Sequence, residues 1–191
     1  MGEDPGSPVI VRPGEGARVH GLDMVRKVDA GSFDGRLLVV EGRISPGELL
    51  PPHTHTREDE CSYVVSGQAT FQVGEHVVAA AAGSYVLKPR GVPHAVWNSG
   101  TEPARVMEVH VPATFARYYD EVGAILADPA MGETERREAL AAHHARYGVT
   151  FHWDRVAALA ERYGVVPQPP GGPLRRPAPQ PRGGTGGSES S

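Results

Sequence analysis

Between Val9 and Val111 the chain alternates short runs of apolar, often β-branched residues with glycine, proline and aspartate. Short strands at this spacing are typical of an antiparallel sandwich or barrel and not of a parallel α/β sheet. One connection, Val73-Gly74-Glu75-His76, has the length and composition of a tight turn. The pattern predicts an all-β domain over residues 9–111.

After Pro112 the apolar positions take helical spacing. Thr114 is a candidate N-cap, followed by Phe115, Tyr118 and Val122 on one face. Three helices are predicted, from Thr114 to about Leu126, from Glu133 to Tyr147 and from about Asp154 to Tyr163, with Gly148 and Gly164 as stops. We therefore expect a C-terminal helical extension over residues 112–166.

The two ends of the chain have a different composition. Residues 1–8 are polar and rich in proline and glycine, which predicts a flexible N-terminus. From Pro167 to the end, proline, glycine, arginine and serine dominate, and such a segment cannot bury a core. We expect residues 167–191 to be a disordered tail.

Bulk composition narrows the functional classes. Hydrophobic residues make up 39% of the chain and the net charge is −4, which does not favour nucleic acid or an anionic membrane as a partner. No apolar run reaches the roughly 18 residues of a membrane span. The single cysteine, Cys61, excludes an internal disulfide, and the first residues lack the pattern of a secretory signal. We expect a cytoplasmic protein.

Two histidine-bearing motifs carry the candidate chemistry. Together they offer three imidazoles and one carboxylate, a set suited to one divalent first-row metal ion: iron, nickel, manganese, cobalt, copper or zinc. The ligand types do not select among these metals. The motifs read Gly47-x5-His53-x-His55-x4-Glu60-x6-Gly67 and Gly83-x5-Pro89-x-Gly91-x2-His94-x3-Asn98.

Strand geometry explains the spacing. His53 and His55 are two residues apart and so share a strand face, and His94 comes from a later strand. Glu58 has the parity of Glu60, but we expect it in a loop facing solvent. Ser62 and Val64 share a strand face with Glu60. Val96 and Asn98 share a strand face with His94.

These motifs resemble those of the cupin superfamily at every defining position. The resemblance implies an antiparallel jelly-roll barrel that closes on a single metal ion. It also implies that His53, His55, Glu60 and His94 are the metal ligands. The segment after Pro112 further resembles single-domain cupins of the quercetin 2,3-dioxygenase-like type.

That narrower resemblance implies a dioxygenase that consumes dioxygen and acts on a flavonol-like or other enolisable aromatic substrate. It implies that Glu60, besides binding metal, accepts the proton of the substrate hydroxyl. The expected substrate pocket is formed by Ser62, Val64, Val96, Tyr118 and Tyr119. Phe115 is expected to anchor its helix to the barrel, whereas the tyrosines suit either a lid or an anchor.

Two alternatives remain open. One is a non-oxidative cyclase or isomerase of a polyketide or sugar-derived substrate, and the other is a metal-binding or storage module without turnover. Oxygen uptake separates the dioxygenase from both. A homodimer formed through an edge strand is also expected.

Other reactive side chains receive structural interpretations. Cys61 has the parity that points away from the metal, and His76 is expected at the surface of a hairpin. His110 is expected to pack in the core or at the surface. His143 and His144 lie on a charged helix and are expected to face solvent.

Overall fold

The computed structural model describes residues 10–20 and 22–168. Within these residues the chain forms an antiparallel β-barrel followed by helices. The strands are β1 (Ala17–Arg18), β2 (Met24–Val28), β3 (Leu38–Ile44), β4 (Glu48–His55), β5 (Asp59–Ser66), β6 (Gln68–Val73), β7 (His76–Ala81), β8 (Tyr85–Lys88), β9 (His94–Trp97), β10 (Ala104–Val111), β11 (Val149–Phe151) and β12 (Val166–Pro167). The helices are α1 (Phe115–Ala127), α2 (Glu133–Tyr147) and α3 (Val156–Tyr163).

Two six-stranded sheets build a jelly roll. One has the strand order β1-β2-β3-β10-β5-β8. The other has the order β11-β4-β9-β6-β7, with β12 paired in parallel to β4. The predicted all-β jelly-roll class with C-terminal helices is therefore confirmed.

The barrel core follows from the alternation of buried and exposed positions along each strand. In β5, Glu60, Ser62 and Val64 are buried, whereas the residues between them are only half-buried. Phe71 is fully buried in the facing sheet and packs in the same core cluster as Val64. The period of two along the strands thus directs one set of side chains into the barrel and the other outward.

Glycine is required where the chain turns between strands. The predicted turn positions Gly47, Gly67, Gly83 and Gly91 all have positive φ, between 72° and 91°. At Gly67, a Cβ atom would also lie 2.6 Å from the carbonyl oxygen of Pro103. The predicted turn at Gly74 joins β6 to β7, with Gly74 at φ 58°.

The helices begin and end close to the predicted residues. Thr114 occupies the N-cap position of α1 but makes no side-chain capping bond. Gly148 ends α2 and Gly164 ends α3 in the left-handed conformation that the sequence predicts. The third helix starts at Val156, after a 3₁₀ turn over Trp153–Arg155.

The helical extension also contributes strands to the barrel. β11 pairs with β4, so Phe151 lies opposite His53. Pro167 pairs with Leu49 through β12. The predicted disordered tail starts at Pro167, but Pro167 still pairs with β4 and the Gln168 N–H donates to the Leu49 carbonyl oxygen. The predicted flexible residues 1–8 and the rest of the tail lie outside the described residues.

Helix α1 covers one end of the barrel with its apolar face. Phe115, Tyr118, Tyr119 and Val122 are buried against β3 residues Leu38 and Val40 in one core cluster. Helix α2 packs on α1 and buries His143 and His144, which are 6% and 7% exposed. The prediction that these histidines face solvent was wrong, because α1 lies over the face of α2 that carries them.

Several large apolar side chains are exposed on the outer face of the first sheet. Tyr85 and Leu87 on β8 are 69% exposed, and Val111 on β10 is 45% exposed. Tyr63 packs beside Tyr85 with ring centroids 4.7 Å apart. The expected homodimer stays a prediction. No helix among the described residues has the length and apolar content needed to cross a membrane.

A glycine-to-alanine change tests how tightly α1 is seated. A Cβ atom at Gly123 would lie 2.1 Å from the backbone carbonyl oxygen of His20. We expect Gly123→Ala to push α1 off the barrel and to lower the free energy of unfolding by about 1–3 kcal/mol, as overpacking does. Urea unfolding measures this change.

The matched control is Gly31→Ala, at an exposed position where a Cβ atom meets nothing within 4 Å. We expect that variant to unfold like the wild type. Equal stability of both variants would contradict tight seating of α1.

Candidate metal centre

Three histidines converge inside the barrel. His53 and His55 lie on β4 and His94 on β9, and the pairing of these strands sets His53 opposite His94. One ring nitrogen of each lies within 4.8 Å of those of the other two. All three side chains are buried.

Backbone carbonyls orient two of the imidazoles. His53 Nδ1 lies 2.8 Å from the Pro51 carbonyl oxygen, and His94 Nδ1 lies 3.0 Å from that of Val92. When Nδ1 donates in this way, Nε2 carries the free lone pair that a metal binds. His94 Nε2 and both ring nitrogens of His55 are buried without a hydrogen-bond partner. Such orphaned nitrogens fit the ligand atoms of a metal ion.

Burial keeps the imidazoles of His53 and His55 neutral. It lowers the pKa of His53 well below the usual value, and the neighbouring His94 and His55 add to the shift. Burial lowers the pKa of His55 from 6.5 to about 3. Neutral imidazole is the form that binds a metal ion, so protons compete weakly for these ligand positions.

Glu60 reaches the histidines from the opposite sheet. Its Oε1 lies 3.2 Å from His55 Nε2, and its Oε2 lies 3.2 Å from His94 Nε2. Glu60 lies outside the 4.8 Å group of three histidines, but its spacing from two of them suits a shared ion.

Two nitrogen atoms also lie close to Glu60 on its other side. Lys88 Nζ on β8 lies 2.7 Å from Oε2, and His110 Nδ1 on β10 lies 2.9 Å from Oε1. Burial alone would raise the pKa of Glu60, but the ammonium group of Lys88 holds it well below its usual value. Glu60 is therefore an ionised carboxylate in the interior.

A second carboxylate completes this cluster. Glu108 Oε2 lies 2.8 Å from Lys88 Nζ, and the Ser62 hydroxyl donates to Glu108. Burial would lower the pKa of Lys88, but Glu108 and Glu60 raise it above its usual value. The Tyr119 hydroxyl lies 3.1 Å from His110 Nε2 and links the cluster to α1.

A cavity of about 150 Å³ opens beside the histidines. Its polar end includes His53, His55, Glu60, Lys88 and Glu108. The rest of its wall is largely apolar and includes the aromatic rings of Phe115, Tyr118, Tyr119 and Phe151.

Three of the predicted pocket residues line this cavity: Val96, Tyr118 and Tyr119. Ser62 and Val64 are not among its lining residues, which corrects their placement. Ser62 is turned into Glu108 by its hydrogen bonds, and Val64 packs into the core cluster that contains Phe71. Both are fully buried.

The expectation that Glu58 faces solvent was wrong. Its side chain is 1% exposed and accepts a hydrogen bond from the Thr114 hydroxyl. Its Oε2 lies 3.9 Å from His55 Nδ1. The Thr114 hydroxyl at the start of α1 covers this side chain, whereas Thr56 and Arg57 in the same connection are exposed.

Two members of the cluster were missed from the sequence, Lys88 and Glu108. Both follow the strand alternation, since Val86 and Lys88 are buried in β8, and Glu108 lies between Val106 and His110 in β10. The sequence did contain a signal for them: each charged residue lies two positions from a valine that points into the barrel. Cys61 has the opposite parity and is half-buried, as expected.

Comparison with known proteins identifies the domain. The family model described as Cupin domain matches residues 40–110. These residues are therefore similar to a cupin domain. In fold, it is similar to a predicted oxalate decarboxylase from Thermotoga maritima, with a TM-score of 0.50 and 20% identity, over 55% of this chain and 99% of that one.

Sequence relatives are plant proteins. A germin-like protein, subfamily 2 member 2, from Arabidopsis thaliana is 29% identical over 107 residues, covering 52% of this chain and 47% of the relative. Germin-like protein 5-1 from Oryza sativa subsp. japonica is 39% identical over 70 residues, covering 33% of this chain and 31% of the relative. The chain thus spans less than half the length of these relatives.

Behind the candidate metal centre, α1 and α2 share a buried pair. The Tyr118 hydroxyl lies 3.1 Å from His144 Nδ1. Burial, with a smaller contribution from His143, lowers the pKa of His144 from 6.5 to about 4. The folded protein therefore favours neutral His144.

This shift predicts acid destabilisation. Above about pH 6.5 His144 is neutral in both states, and as the pH falls towards 4 only the unfolded state takes up the proton. The free energy of unfolding should fall over this window, and it should fall less in His144→Gln. Urea unfolding between pH 7.5 and 4.5 measures the difference.

The control is His76→Gln, at an exposed strand end. We expect it to follow the wild-type pH profile. If the free energy of unfolding of His144→Gln falls with pH as much as that of the wild type, the role assigned to this histidine is contradicted.

Proposed function

We propose that this cupin is a metal-dependent enzyme, and specifically a dioxygenase that acts on a flavonol-like or other enolisable aromatic substrate. The observation that carries the proposal is the convergence of unpartnered, buried imidazole nitrogens and an ionised carboxylate at the polar end of a mostly apolar cavity. Sites of this shape, with few polar groups in an apolar pocket, are typical of small-molecule binding.

The residues that would hold the ion are His53, His55 and His94, with Glu60 beside them. A divalent first-row ion bound there would supply Lewis acidity towards a substrate oxygen and redox chemistry with dioxygen. Three neutral histidines and one carboxylate leave such an ion with a net charge of about +1, which favours an anionic substrate.

The aromatic wall suits a flat substrate. Phe115, Tyr118, Tyr119 and Phe151 present rings to the cavity, and rings of this kind stack on or contact the edge of an aromatic ligand. The same apolar wall limits water beside Glu60. Both properties favour an enolisable aromatic over a strongly hydrated substrate.

Glu60 is the residue best placed to accept a substrate proton. It is ionised, it faces the cavity and it lies next to the imidazole nitrogens that would hold the ion. A general base must be deprotonated and within hydrogen-bonding reach of its substrate. Its contacts with Lys88 and His110 fix its orientation before substrate arrives.

The acid–base groups around Glu60 also favour a second candidate, a non-oxidative isomerase or cyclase. Two series of polar contacts meet at Glu60: one runs from Glu108 through Lys88, and the other from Tyr119 through His110. Proton transfer along such groups needs no oxidant. Dioxygen dependence is the property that separates the two candidates.

The first test replaces the proposed base. Glu60→Gln keeps the size of the side chain but cannot accept a proton, so we expect kcat to fall by about 10²–10⁴-fold, the usual contribution of general base catalysis. Metal content, measured by elemental analysis, should fall far less, because three histidine ligands remain. Wild-type turnover by this variant would refute the base role.

The second test measures dioxygen. The metal-loaded protein is screened with flavonols and simpler phenols in air and under nitrogen, with an oxygen electrode and product analysis. We expect product only in air, with one dioxygen consumed per substrate. Equal product formation under nitrogen would favour the isomerase or cyclase, and the His53→Ala variant controls for metal free in solution.

A further inference from the structure

A buried lysine next to the candidate metal centre stands out among the described residues. Lys88 is 4% exposed, and its ammonium group lies between two carboxylates. Its Nζ is 2.7 Å from Glu60 and 2.8 Å from Glu108. Lysine is rarely buried to this degree, and only when it is paired, so the position calls for a role.

Each carboxylate oxygen of Glu60 lies close to two nitrogen atoms, one of them from a candidate metal ligand. Oε2 lies between His94 Nε2 and Lys88 Nζ, and Oε1 lies between His55 Nε2 and His110 Nδ1. A metal ion held by the histidines would therefore share the Glu60 carboxylate with Lys88. Attraction of the carboxylate to one cation weakens its attraction to the other.

Glu108 in turn limits the hold of Lys88 on Glu60. It accepts a hydrogen bond from the Ser62 hydroxyl and an almost equally short contact from Lys88. The positive charge of Lys88 is thus divided between two carboxylates. Glu108 therefore acts at a distance on the Glu60 carboxylate.

We propose that Lys88 and Glu108 are positioning residues that together set how strongly Glu60 binds the metal ion. Lys88 competes with the ion for the Glu60 carboxylate, and Glu108 weakens the attraction of Lys88 to Glu60. Glu60 is left available to a substrate proton and is not fully committed to the ion. This inference rests on the proposed metal-dependent function.

The proposal predicts shifts of opposite sign in metal affinity. Lys88→Met removes the competing cation, so we expect cobalt(II) to bind more tightly by at least about tenfold. Glu108→Gln removes the group that restrains Lys88, so we expect cobalt(II) to bind more weakly by a similar factor. In the double variant the two changes oppose each other, and affinity should return to within about threefold of the wild type.

The measurement is competition between the full-length protein and a chelator of known affinity. Cobalt(II) also has visible absorption that reports its ligands, so Lys88→Met should change the spectrum as Glu60 binds more firmly. The control is Glu41→Gln, which breaks an ion pair with Arg105 on the outer side of the barrel. It should change neither affinity nor spectrum.

The signs decide the outcome. A purely structural role predicts weaker binding in both single variants, and that result would overturn the inference. If Lys88→Met does not fold, as judged by circular dichroism, the test is whether the double variant binds more tightly than Glu108→Gln; failure to do so also overturns it. If the wild type binds no cobalt(II), the proposed function fails first.

Discussion

The ion pair between Glu60 and Lys88 is the interaction on which the interior of this barrel depends. Taking either charge out of water alone is costly, and one buried partner without the other is strongly destabilising. Lys88 also contacts Glu108, and Glu60 also contacts His110. The barrel interior is therefore organised around charges that satisfy one another.

This pair also joins the two sheets at the candidate metal centre. Glu60, Lys88 and Glu108 belong to the first sheet, whereas the three histidines belong to the second. The contacts from Glu60 to His55 and His94 are polar contacts between the sheets. The helices then close the cavity, with Tyr119 contacting His110 and Tyr118 contacting His144.

Sequence reasoning recovered the fold because its signals are local. Turn glycines such as Gly47 and Gly91, the alternation in β5 and the stop at Gly148 each follow from backbone geometry within a few residues. The convergence of His53, His55 and His94 also followed, because the motif spacing fixes their strand parity. Metal binding by these residues and by Glu60 stays a prediction.

Errors arose where packing between distant segments decides burial. Glu58 is buried by Thr114, 56 positions away, and His144 by Tyr118, 26 positions away. No local pattern indicates that a charged or polar side chain will meet such a partner. Lys88 was a different kind of omission, because the alternation along β8 did place it inside.

The outer face of the first sheet gives this alternation a further meaning. Strands β5, β8 and β10 carry the charged cluster on one side and apolar side chains such as Tyr85 and Leu87 on the other. Slippage of one strand by a single residue would exchange the two sets, since side chains alternate with a period of exactly two. It would bury tyrosine and leucine where Lys88 now lies and expel the charges into solvent. Correct pairing and the chemistry of the interior are therefore gained or lost together, with no half-slipped form that keeps one without the other.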